Sequence, residues 1–260
     1  MNAYIAAGAI PQEDDPLFPF TQGEPKAMLD VAGKPMVQWV LDALNGAESI
    51  EQIGLVGLDE QHGLRSRKPL TFVPDQGDLL YNTLAGLSWA RQVDPDAKYA
   101  LFCSADIPAI TAEAVQWRVR AAMERTPFDM DYAVVERPTM EARFPGSNRS
   151  YVTFRDGQVC GADLNLLRVD MAVRQDFWRK IGRARKSAWR QAALFGPDLL
   201  LLLLLRRLTL VQAEERASQR LGLVGHLQIS PYPELAMDVD KPHQLKILQE
   251  IMGHETEGAE

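Results

Sequence analysis

Along the first half of this 260-residue chain, short apolar runs that stop at turn-forming residues alternate with segments of helical period. Ala3–Ala7 is apolar and ends at Gly8, the pattern of a buried strand. From Pro35 to Leu44, residues Met36, Val37, Val40, Leu41 and Leu44 recur on one helical face, with Pro35 suited to the first turn. Ile53–Leu58 and Leu70–Val73 predict two more strands. Leu79–Arg91 predicts a helix with Leu80, Leu84 and Leu87 on one side. Tyr99–Cys103 is strand-like, Thr111–Arg125 reads as a helix capped by Thr111, and Tyr132–Val135 is strand-like again. Strands alternating with helices imply an α/β fold, a mostly parallel sheet with helices on both faces. Ligands of such sheets bind beyond the carboxyl ends of the strands. Gly8 and Asp106 both stand at such ends.

After about residue 150 the pattern changes. Tyr151–Phe154 and Gln158–Val159 flank Arg155-Asp156-Gly157, a hairpin signal. Residues 171–205 read as helices broken near Gly196-Pro197, Leu223–Ile229 as a returning strand and Lys241–Met252 as a final helix, with a loose tail. The expected organisation is one domain over residues 1–260, with a helical insertion or lid at 168–222.

The net charge of −7 argues against broad binding to nucleic acid or anionic lipid, so an anionic substrate needs a local basic pocket or a bound cation. Cys103 and Cys160 are far apart and lack metal-ligand spacing, which suits a reducing compartment. The N-terminus has no basic leader pattern. The longest apolar run, Leu199–Leu205, is far shorter than the ~20 residues a membrane-spanning helix needs. A cytoplasmic location is expected.

Four stretches carry candidate chemistry. In Ala6–Met36 a strand ends at Ala7-Gly8, a long loop closes at Pro25-Lys26, and Gly33-Lys34-Pro35 opens a helix. Glycine at a strand end lets backbone N–H groups approach phosphate oxygens, and a lysine brought back over the loop offers a point charge. In Pro74–Ala90, Gly77 allows close approach to the backbone, and Asp78, Asn82 and Thr83 offer hydrogen bonds, with Asp78 equally suited to cap the helix starting near Leu79. Cys103–Thr111 reads CSADIPAIT and places Asp106 just past a strand. Mg²⁺ commonly takes only one or two protein carboxylates, so one aspartate there suffices if a partner exists. Met237–Leu245 reads MDVDKPHQL and offers Asp238 and Asp240, the latter also a candidate helix cap.

Together these elements resemble the nucleotidyltransferases of the GT-A-like fold, in particular the group similar to molybdenum-cofactor guanylyltransferase. The resemblance rests on Ala6-Ala7-Gly8, Pro25-Lys26, Gly33-Lys34-Pro35, the Asp106 segment and the Asp-Val-Asp-Lys-Pro segment ending at Pro242. It spans roughly residues 1–112 and 235–248, with only a loose match through Gly161–Asp170, where Gly161 and Asn165 could line the acceptor side or be a strand edge and a turn. It implies a Rossmann-like, mostly parallel mixed sheet flanked by helices, with a helical insertion in the C-terminal half. It implies nucleotide contacts from Ala7, Gly8, Lys26, Lys34, Gly77, Asp78 and Asn82, and Mg²⁺ held by Asp106 and Asp240. The family's second loop glycine and arginine are absent. Ala9, Ile10 and Pro11 stand there instead, followed by Glu13-Asp14-Asp15, which leaves Lys26, Lys34 and backbone N–H groups as donors.

The activity the resemblance implies is Mg²⁺-dependent transfer of a nucleotidyl group from an NTP to a small phosphorylated or hydroxyl acceptor, with release of pyrophosphate. Lys26 and Asp106 would be the catalytic residues. Two other readings are a GT-A-type glycosyltransferase and a non-catalytic nucleotide-binding protein. The first is disfavoured because Asp106-Ile107-Pro108 lacks a second aspartate. The basic and leucine-rich stretch at 179–208 has a plain reading, a solvated helix beside a buried one. A lid over an anionic acceptor and a membrane-surface helix are the other readings. The four histidines show no ligand spacing.

Overall fold

The structure, a computed structural model, describes residues 1–185 and 196–257. The middle of the basic stretch, residues 186–195, and the last three residues lie outside the described residues. In chain order the elements are β1 (Asn2–Ala6), α1 (Phe18–Thr21), β2 (Asp30–Val31), β3 (Lys34–Pro35), α2 (Met36–Gly46), β4 (Ile53–Val56), β5 (Leu70–Val73) and α3 (Leu79–Val93). There follow β6 (Tyr99–Ser104), α4 (Ala112–Met123), β7 (Met130–Glu136), α5 (Arg137–Arg143), β8 (Val152–Phe154), β9 (Gly157–Gly161) and β10 (Leu164–Arg168). The chain ends with α6 (Gln175–Arg185), α7 (Pro197–Leu204), α8 (Leu210–Leu221), β11 (Gly225–Ser230) and α9 (Pro242–Glu257).

The main sheet has the order β5-β4-β1-β6-β10-β7-β9-β8, with β11 on the other edge of β7. Pairing is parallel for β5-β4, β4-β1, β1-β6 and β7-β11. Pairing is antiparallel where β10 meets β6 and β7, and where β9 meets β7 and β8. Among the described residues, β9 and β10 therefore run against all the other strands of a mixed, mostly parallel sheet. Gly161 ends β9, and Asn165 lies in β10 and not in a turn. β10 is a central strand, buried along most of its length. Its near-continuous apolar run, Leu164 to Leu167 broken only by Asn165, is what burial on two faces requires.

Helices cover both faces, and the period of two in β1 shows how. Ala3, Ile5 and Ala7 point into a core with α2, α4 and α9. Tyr4 points the other way, into a second core built from α3, Val169, Met171, Phe177 and Trp178. Helix α3 lies so close that a Cβ at Gly86 would come within 2.2 Å of the Tyr4 ring. Thr111 caps α4, its hydroxyl accepting from the Ala114 N–H at 3.2 Å. Two helices, α5 and α8, lie where no helix was specified residue by residue, and α9 runs on through Glu257 where a loose tail was expected.

One buried ion pair ties the layers together. Arg118 of α4 is fully buried, its Nη2 2.7 Å from Asp131 Oδ1 of β7, and its Nε donates to the Leu164 carbonyl of β10 at 2.9 Å. The fixed fork of its donors lets the guanidinium pair with the Asp131 carboxylate while donating to backbone carbonyls of both strands, Asp131 at 2.6 Å and Leu164.

Candidate active site

Three backbone contacts gather the candidate residues at the carboxyl ends of β1 and β6. The Lys26 N–H donates to the Ala9 carbonyl at 2.8 Å, which folds the long loop back over the end of β1. The Ala105 N–H donates to the Ala6 carbonyl at 3.1 Å, extending the β1–β6 pairing to Asp106. The Val239 N–H donates to the Asp106 carbonyl at 3.0 Å, which brings the late Asp-x-Asp segment alongside. Residues 26, 106 and 240, far apart in the chain, become neighbours through these bonds.

Their side chains meet. Lys26 Nζ lies 2.5 Å from Asp106 Oδ2 and 3.0 Å from Asp240 Oδ1. The Ser104 hydroxyl donates to the other Asp106 oxygen at 2.5 Å. Burial disfavours the Lys26 ammonium, but Asp106 and Asp240 outweigh it and hold its pKa above the usual lysine value. Asp238 turns away from Lys26 and pairs with Arg149.

These groups line a cavity of about 610 Å³. Its walls include Ala7 and Gly8 at the end of β1, Gly77 and Asp78 before α3, Asn82 in its first turns, and the carboxylates of Asp106, Asp163, Asp238 and Asp240. The volume is that of an ordinary small-molecule site. Gly8 has no room for a side chain, since a Cβ there would come within 2.3 Å of Asp75 Oδ1. That carboxylate accepts from Asn82 Nδ2 at 2.7 Å, and Asn82 Oδ1 accepts from the Gln76 N–H at 2.7 Å. Asn82 thus holds the 74–78 loop with both ends of its amide while forming part of the wall. Asp78 caps α3, accepting from the Leu80 N–H at 2.8 Å, and also faces the cavity.

Two candidate residues lie elsewhere. Lys34 is not among the residues lining the cavity. Its ammonium lies 2.9 Å from Asp42 Oδ2 and 4.2 Å from the centre of the Trp39 ring, so α2 holds it from two sides. Asn165 does not line an acceptor surface. Its Oδ1 accepts from the Ala133 N–H and its Nδ2 donates to the Ala162 carbonyl, both at 2.8 Å, inside the sheet. It bridges β10 to β7 where the edge of β7 passes from β10 to β9.

Asp163 carries no motif, and sequence reasoning missed it. It sits between β9 and β10, and its backbone is tied to Ser104 and Leu235. Burial pushes its carboxyl up to about 7, and Asp106 and Asp240 add to the rise while Arg149 and Lys26 oppose it. The sequence offered no signal for it, since an aspartate between two extended segments is an ordinary turn residue. Burial likewise raises the thiols of Cys103 and Cys160, so neither is poised as a nucleophile.

Residues 21–154 match the MobA-like NTP transferase domain, more than half of the chain. The chain belongs to that family. A solved structure of a hypothetical transferase from Thermus thermophilus is similar to the MobA-like chain at 33% identity and a TM-score of 0.80, over 94% of this chain and 99% of that one. CMP:2-keto-3-deoxy-manno-octonic acid synthetase complexed with CTP superposes with a TM-score of 0.59 at 14% identity, over 98% of this chain and 100% of its own. 4-diphosphocytidyl-2C-methyl-D-erythritol synthase from Anaerococcus prevotii does so with a TM-score of 0.58 at 9% identity, over 96% and 95%. These two share the fold. No curated protein matches the chain.

Proposed function

We propose that this MobA-like protein transfers a nucleotidyl group from a nucleoside triphosphate to a small acceptor and releases pyrophosphate. The observation that carries the reading is the Lys26 ammonium held between the Asp106 and Asp240 carboxylates on the wall of the cavity at the strand ends. Nucleotidyl transfer needs positioning and charge neutralisation more than covalent work by the protein. The groups gathered here are of that kind, charges and a hydroxyl with no activated nucleophile.

Among the described residues no cluster of three metal-ligating side chains occurs. The donor set still fits Mg²⁺. Asp106 and Asp240 present hard carboxylate oxygens to one point, already taken by a cation, and Mg²⁺ draws its remaining ligands from phosphate and water. Bound there, it would polarise the α-phosphate as a Lewis acid. Lys26 would then direct its ammonium at phosphate oxygens, Ser104 would keep Asp106 oriented, and Gly8 and Gly77 would let the nucleotide approach the backbone. The nucleotide would enter between the β1 loop and the start of α3, leaving Asp163 on the acceptor side. The base and the acceptor are open, with sugar phosphates, polyol phosphates, a pterin cofactor and a cobinamide-like phosphate all compatible.

Pyrophosphate release, measured with each NTP and Mg²⁺ against a panel of such acceptors, tests this. Release that depends on both substrates supports it. NTP binding without release across the panel would favour the binding-protein reading. Transfer from a nucleotide-sugar alone would favour the glycosyltransferase.

A further inference from the structure

The corner formed by α7 and the turn that follows it is built unlike the rest of the surface. Helix α7 is apolar on two sides. Leu199 and Leu203 face inward and line an apolar cavity of about 410 Å³ between α7, α8 and strands β7, β8 and β11. Leu201, Leu204 and Leu205, at positions i, i+3 and i+4, form a second stripe that faces outward, with exposures of 56%, 79% and 54%. An amphipathic surface helix turns its polar face to water, and one that is apolar all round needs a second apolar phase.

Cations rim the outer stripe. Arg206 and Arg207 follow it directly and are exposed. Arg155 is exposed in the neighbouring hairpin turn, its backbone N–H bonded to the Leu208 carbonyl at 2.8 Å. None of the three arginine side chains has an ion-pair partner among the described residues, although the chain as a whole is acidic at −7. Asp156, beside Arg155, is held by the Leu210 N–H, which donates to both its oxygens at 3.2 Å. Arg206 holds a left-handed backbone, φ 54°, at a helix end where glycine would fit without strain.

We propose that this corner docks on an anionic lipid surface, with Leu201, Leu204 and Leu205 entering the headgroup–acyl boundary and Arg155, Arg206 and Arg207 meeting lipid phosphates. Leucines beside unpaired arginines supply the two attractions that hold a protein at such an interface, apolar burial and charge. The unpaired arginines favour an anionic lipid surface over an uncharged apolar partner. No membrane-spanning helix is involved, since no helix among the described residues is long and apolar enough to cross. The inference stands apart from the proposed reaction, as none of these residues lines the cavity at the strand ends.

Co-sedimentation of the whole protein with phosphatidylcholine vesicles, with and without phosphatidylglycerol, tests it in the absence of nucleotide. The expected result is binding to the phosphatidylglycerol vesicles that weakens as salt is raised. Leu204→Ser with Leu205→Ser, and separately Arg206→Ser with Arg207→Ser, should each weaken it about tenfold or more with the melting temperature unchanged. Protein that stays in the supernatant with phosphatidylglycerol vesicles overturns the proposal. So does a dimer in solution that the leucine variant dissociates, since a second copy then covers the stripe.

Discussion

The cavity at the strand ends and the corner at α7 are both departures from ordinary surface, in opposite senses. At the strand ends, charged groups from distant parts of the chain have been brought together and satisfy one another, Lys26 with Asp106 and Asp240, Arg149 with Asp238. At the corner, neighbouring residues carry exposed apolar side chains and arginines with no ion-pair partner among the described residues. The first arrangement requires the fold, because its parts lie up to 214 residues apart. The second is local, because its leucines and two of its arginines are consecutive or nearly so. Function that depends on the first should fail when a single residue is lost, and function that depends on the second should decline in steps.

The sharpest way to break that contrast is Asp106→Ala. On the proposed reaction, NTP turnover should fall about a thousandfold or more, because Asp106 would no longer help hold the ion that offsets transition-state charge, while thermal melting stays close to the parent. Full turnover would remove the metal and Lys26 partner from the reaction. Lys26→Ala should cost roughly a hundredfold in turnover, and unchanged kinetics would make Lys26 a structural cation. Arg118→Met tests the buried scaffold beneath the cavity. Asp131 would be left buried without its cation, and chemical denaturation should show a loss of about 3–5 kcal/mol.

A smaller effect is expected from Asp163. A carboxyl whose folded-state pKa is raised favours the folded state only while it is protonated. That contribution is present at low pH and is lost as pH rises through about 7. In metal-free protein, Asp163→Asn should therefore raise the melting temperature more at about pH 8 than at about pH 5, and equal shifts at both would place the ionised carboxyl at no cost. The smallest effect belongs to the corner, where Leu204→Ser should change stability by no more than about 0.5 kcal/mol, measured by denaturant unfolding. A loss several times larger would show that the outer stripe packs against something.

Much of the sheet could be read from the sequence because its determinants are short-range. Ala3–Ala7, Ile53–Leu58, Leu70–Val73 and Tyr99–Cys103 are apolar runs bounded by turn residues, and they agree with β1, β4, β5 and β6 to within two residues at either end. Thr111 and Asp78 announce helices through bonds to residues two or three positions on. The strand β10 was not legible as such. Its sequence does not say that it enters between β6 and β7 against their direction, which depends on long-range pairing. Lys34 misled for a related reason. Its Gly-Lys-Pro context suggests a phosphate, but Asp42 and Trp39, eight and five residues on, are near enough on α2 to hold it.

The sequence by itself determined where the chain is extended, where it coils and where an aspartate or a glycine ends a strand, since those choices depend on side-chain period and on residues within one turn. It also set out the leucines and arginines of the α7 corner in order. Only the tertiary structure decided that Lys26 stands between Asp106 and Asp240, that Asn165 is spent inside the sheet, and that Asp163 is buried at the strand ends. Each of these depends on distances between segments that the chain alone leaves free, and on burial, which exists only once the layers have closed.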